Sequence, residues 1–142
     1  MNNDLPSVGI LRILASICYD WLLLIALLIL ATALVVIPLV LLGIEVDVIR
    51  HNLLFRCYLF LVPILFFCGF WIYGGQTLGM RAWRIRVVHC NGKPLDIKTA
   101  LLRFFGSILS LLPFGLGFLW CLADQKGLTW HDHISSTYLQ RV

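Results

Sequence analysis

Three long stretches of this chain carry no charged side chain at all: residues 21–44, 57–80 and 104–123. That constrains the fold more than anything else in the sequence. A helix crosses the bilayer's hydrocarbon core of about 30 Å with about 20 apolar residues. The first two runs meet that length with room to spare. The third only just meets it and is interrupted by Pro113, Gly115 and Gly117. Apolar residues make up 61% of the chain and charged ones 13%, too few and too clustered to clothe a water-soluble surface. The fold expected is therefore an all-α membrane protein. It has two transmembrane helices, then a third Pro/Gly-broken transmembrane or re-entrant helical segment, with a short β-strand and turn in the cytoplasmic loop.

The 142 residues suit one domain. We read helix 1 over about 12–43, helix 2 over about 54–74, a basic loop over 75–99, a broken helix 3 over about 97–123 and a polar tail over 124–142. The first apolar run exceeds the length of a signal-peptide core, and Asp4 offsets Arg12, so the segment is expected to stay in the mature protein.

Charge sets the expected orientation. Arg81, Arg84, Arg86, Lys93, Lys98 and Arg103 face only Asp96 in the second loop, whereas Glu45, Asp47, Arg50 and Arg56 cancel in the first. Short loops rich in Lys and Arg stay in the cytoplasm. The N-terminus and the 75–99 loop are thus expected inside. Tyr19, Trp21, Trp71, Tyr73 and Trp83 are expected at the inner interface, where an amphipathic ring is comfortable. The partners implied are the bilayer itself and, at Arg81–Arg103, anionic lipid headgroups. The net charge of +4 is not read as a nucleic-acid signal.

Ala82–Cys90 alternates partially and is rich in β-branched residues, and Asn91-Gly92 is a turn signal, so a short strand and turn are expected. Asp96 is a candidate N-cap for a following helix, with Leu95 and Ala100 as its staple. Gly74–Gly79 matches no phosphate loop and reads as a helix-ending turn with no helix after it. The third apolar segment either crosses once or forms a hairpin bent at Pro113–Gly117. The hairpin is favoured, because it returns the tail to the basic loop, where residues 137–142 could pair as a strand with Arg84–Val88.

The residues that could carry chemistry are few. Asp20 stands alone in the uncharged stretch from Ile13 to Ile44. A carboxylate in lipid persists only if paired, hydrated, protonated or interfacial. Arg12, eight residues earlier, is not stacked on it, and its expected partner is Asp124 or Asp132. Asp124, His131, Asp132 and His133 make a polar cluster better read as a structural turn than as a metal site. The five cysteines lack ligand or disulfide spacing and are expected as packed thiols. No nucleophile–base pair is visible, so neither enzyme nor cofactor is expected.

In combination these residues resemble the RDD family of bacterial membrane proteins, named for one arginine and two aspartates. Here those are Arg12, Asp20 and Asp132. The resemblance takes in Gly75-Gln76-Thr77-Leu78-Gly79-Met80-Arg81, Arg86-Val87-Val88, Asn91-Gly92, Arg103, Asp124, Thr129-Trp130-His131-Asp132 and Thr137. His133 departs from it, standing where an arginine often follows the aspartate. The resemblance implies a multi-pass protein of the bacterial plasma membrane. Its members' molecular function is generally unknown, with transport or sodium/proton exchange proposed for some. Two readings follow. In one, Arg12, Asp20 and Asp132 converge as a cation or proton exchange site within a homo-oligomer. In the other they form a buried polar clamp. Asp124, Arg103, His131, Thr137 and Thr77 are the supporting residues in both.

Overall fold

A computed structural model describes residues 8–142; Asp4 lies outside the described residues. Helix α1 runs Ile10–Leu41 and α3 runs Leu53–Gly74, and both are long and apolar enough to cross a membrane. At 1.5 Å per residue they measure about 48 and 33 Å, so α1 exceeds the hydrocarbon core and α3 matches it. Their surfaces explain why water is the wrong solvent. Leu22, Ile29, Leu34, Phe60 and Leu65 are each more than half exposed, with only lipid to cover them.

The link between the spans is not a plain loop: Val46–His51 forms a short helix, α2. Asn52 then caps α3, its side chain accepting from the Leu54 N–H at 2.8 Å. Gly75 ends α3 in the left-handed conformation, as a helix-ending turn requires. Contrary to the sequence reading, a helix does follow. The one-turn α4, Leu78–Ala82, starts at Thr77, whose hydroxyl caps the Met80 N–H at 3.2 Å.

Strand β1, Ile85–His89, leads to the turn at Asn91-Gly92, and Asp96 caps α5, Ile97–Leu111, by accepting from Thr99 N–H at 2.9 Å. Leu95 and Ala100 are both buried in the core cluster. After Leu111 the chain bends by 107° into α6, Leu116–Leu119, and a 3-10 turn, Trp120–Leu122. The returning arm, Leu116–Leu122, is only about 10 Å long. Phe114 sits at the tip, fully exposed. The tail then forms α7, Trp130–Ser135, and β2, Thr137–Arg141.

Strand β2 pairs antiparallel with β1, Ile85 opposite Arg141 and His89 opposite Thr137. Val142 N–H to Arg84 carbonyl and Cys90 N–H to Ser136 carbonyl, both 2.9 Å, extend the ladder at each end. Helix α7 packs on α5. The third segment is thus bent by 107°, and the tail that follows it comes back to β1 and α5. The loop, the tail and the first half of α1 gather at one end of the molecule. Ile13, Cys68, Trp71, Met80, Ile85, Val87, Phe104 and Leu139 form the core there. Trp71, expected at the interface, is buried within it; Tyr19, Trp21, Tyr73 and Trp83 are exposed.

Two buried polar centres

The first centre joins α1 to α4. Ile13, Ser16, Asp20, Leu24 and Ala31 are the buried residues of α1 and repeat at helical spacing, so Asp20 faces protein rather than lipid. It is 3% exposed. One carboxylate oxygen accepts from the Thr77 hydroxyl and the other from the Gly79 N–H at 2.8 Å. Gly79 permits this approach. A Cβ there would collide with the Ser16 carbonyl oxygen and sit 2.8 Å from the Asp20 carboxyl carbon. The buried part of the glycine-rich link, Thr77 and Gly79, thus turns back onto the first span, and Thr77 both caps α4 and donates to Asp20.

The second centre joins α5 to the tail. Arg103, 1% exposed, donates through one terminal nitrogen to Asp132 and to the Thr137 hydroxyl at 2.6 Å. Its guanidinium carbon lies 5.3 Å from the centre of the Trp71 ring, a cation–π contact. Asp132 belongs to a capping box. Its carboxylate accepts from Thr129 N–H at 3.0 Å and from the Thr129 hydroxyl at 2.6 Å, while Thr129 caps the Asp132 N–H. Ser135 bridges the His131 carbonyl at 2.6 Å and Thr137 at 2.7 Å. His131 is buried among Thr129, Ser110 and the Phe118 ring.

The electrostatics follow from burial. Desolvation, reinforced by the neighbouring Arg103 charge and only partly opposed by Asp132, pushes the His131 pKa down to about 3, so the ring is neutral. Burial alone would raise the Asp132 carboxyl. The Arg103 guanidinium and the Thr129 and Arg103 hydrogen bonds outweigh it and hold the group below its ordinary range. At the surface Asp124 staples the preceding turn. It accepts from Lys126 and Leu128 N–H at 3.0 and 2.9 Å and meets His133 at 3.1 Å, and those bonds hold its carboxyl low.

The expected convergence of Arg12, Asp20 and Asp132 does not occur. Asp132 pairs with Arg103, and Asp20 with neutral donors. Arg12 is half-buried and makes no ion pair with any described residue, including the Asp124 and Asp132 proposed for it. Sequence reasoning placed Thr129 in the family pattern without giving it a site role, and it missed Ser135. The Thr-x-x-Asp spacing of Thr129 and Asp132 is a capping-box signal that could have given the first its role. Among the described residues no group of three ligating side chains could hold a metal ion.

Comparison with known proteins places this arrangement in context. The model of the RDD family matches residues 9–136, which takes in Asp20, Arg103 and Asp132 and stops one residue before Thr137. No curated protein and no solved structure matches the chain.

Proposed function

The chain belongs to the RDD family, and on that premise we propose that its polar residues act as a clamp. In this reading Asp20 holds the link after the second span, and Arg103 with Asp132 holds the tail, both at the cytoplasmic end of a multi-pass protein of the bacterial plasma membrane. The observation that carries it is closed bonding. Asp132 spends three acceptor positions on Arg103 and Thr129, and both Asp20 oxygens are taken by Thr77 and Gly79. A site that binds and releases a cation needs carboxylate oxygens left free for it; the unpartnered buried donors here, Arg103 Nε and Trp71 Nε1, are not cation ligands. The excess of cations between Arg81 and Arg103 supports the cytoplasmic assignment, and a C-terminal reporter that is active only in the cytoplasm checks it.

One observation favours a second reading, in which Asp20 exchanges a proton for a cation. It is a buried carboxylate inside a membrane helix with no ion pair among the described residues. Two spans and a hairpin cannot enclose a pathway, so this reading requires a homo-oligomer. Sodium-dependent proton flux in proteoliposomes separates the two. The clamp predicts no flux above empty vesicles and a lower melting temperature for Asp20→Asn. Flux that Asp20→Asn abolishes while melting stays unchanged overturns the clamp in favour of exchange.

A further inference from the structure

We propose that the groove between the inner end of α3 and the Arg81–Arg86 segment binds one anionic phospholipid, with its phosphate on Arg81 and Arg86 and an acyl chain along α3. The groove encloses about 530 Å³, within the range of small-molecule sites. One wall is apolar and lipid-facing, formed by Leu65, Gly69 and Phe70, with Tyr73 almost wholly exposed beside them. The other end carries Arg81 and Arg86. The two kinds of surface are arranged as a phospholipid needs them. Leu65 precedes Gly74 by about 14 Å of helix, close to the depth of one leaflet. The cationic end meets the point where α3 leaves the bilayer.

Both arginines are exposed, and neither makes an ion pair with any described residue. Their planar forks suit phosphate oxygens bidentately. The strand register brings Arg86 here. Its neighbours Ile85 and Val87 point into the core, so Arg86 points out, and its stem lies over Gly75, where a Cβ would come 3.2 Å from Arg86 Cγ. The frame is rigid before any ligand arrives. Gln76 Nε2 donates to the Ile85 carbonyl at 2.8 Å, Val87 N–H donates to the Gly75 carbonyl at 2.7 Å, and Thr77 is bonded to Asp20. A preformed site loses less entropy on binding. Free phosphate would use the arginine end and leave the apolar wall without a partner, whereas an anionic phospholipid covers both.

The proposal rests on the cytoplasmic-end placement above, since anionic lipid enriches that leaflet. The test uses the full chain in detergent, titrated with phosphatidylglycerol, phosphatidylcholine or inorganic phosphate, with bound lipid read by native mass spectrometry. One phosphatidylglycerol should be retained at a concentration at least about tenfold below phosphatidylcholine, as charge-assisted bonds imply. The double variant Arg81→Gln/Arg86→Gln should lose that preference, and Lys93→Gln/Lys98→Gln should keep it. Gly69→Leu should also weaken retention with both arginines intact. Nothing lies within 4 Å of a Cβ at Gly69, so a side chain added there starts from open space in the groove lining. This variant keeps the test decisive if the double arginine variant misfolds. Equal retention of the two lipids, equal loss in the lysine variant, or displacement of lipid by an equal concentration of inorganic phosphate overturns the proposal. Release of the wild-type chain from membranes by alkaline carbonate is a different failure, that of the membrane reading itself.

Discussion

The two buried polar centres solve the same problem by different means. Around Arg103 and Asp132, opposite charges neutralise each other and hydroxyls from Thr129 and Thr137 add further bonds, leaving Arg103 Nε buried without a partner among the described residues. Around Asp20 no opposite charge is bonded among the described residues; a hydroxyl and a backbone N–H do the work, and they reach it because residue 79 lacks a side chain. The first centre depends on charge and the second on shape. Breaking charge pairing in a dry interior leaves an uncompensated ion, whereas breaking a fit leaves a displaced neutral group. The two should therefore fail with different severity.

The largest effect is expected from Asp132→Ala. It strands Arg103 in a buried position and should cost about 3–5 kcal/mol, read as a lower midpoint of unfolding in detergent. Arg103→Met combined with Asp132→Leu should recover most of that loss. A single variant that melts like wild type would erase the distinction between the centres.

Acid provides the next test. His131 stays neutral in the folded chain down to about pH 3, while the unfolded chain takes up its proton near 6.5. Stability should therefore fall as pH drops across that window, by up to about 1.4 kcal/mol per unit, and His131→Phe should flatten the profile. The Asp132 contribution is present above the unfolded carboxyl pKa and is lost as pH falls through its lower folded value. The centre built on charge thus meets acid first through its histidine. Gly79→Ala should cost about 1–3 kcal/mol by forcing α4 off α1, measured the same way. Asp20→Asn should be mildest, at about 1 kcal/mol, because an amide oxygen still accepts from one of the two donors. If Asp20→Asn proves worse than Gly79→Ala, charge rather than shape governs that centre too.

The elements that a single stretch of sequence encodes were legible before the structure. The two spans follow from uninterrupted apolar length, the Asp96 cap from one residue type at a helix start, and the β1–β2 pairing from alternation plus the return of the chain. Partner choice was not legible. Arg12 and Arg103 carry the same charge, and nothing local to either says which one Asp132 will meet. The answer lies in the bend at Pro113–Gly117, which delivers α7 onto α5, and in Trp71, whose buried ring receives the guanidinium. Helix α2 escaped because six residues are too few for a periodic pattern to show. Helix α4 escaped because glycine-rich sequence argues against a helix, and here tertiary packing outweighs that propensity.

The ion pair between α5 and α7 also orders events in time. Asp132 follows Arg103 by 29 residues, so during synthesis the arginine is made before its counter-ion. Until the tail folds back, that cation must stay hydrated or among headgroups, and α5 cannot settle to its final depth. Assembly at this end is therefore a latch that closes late, and a chain halted before Asp132 would present quality control with an unseated helix rather than a slightly shortened protein.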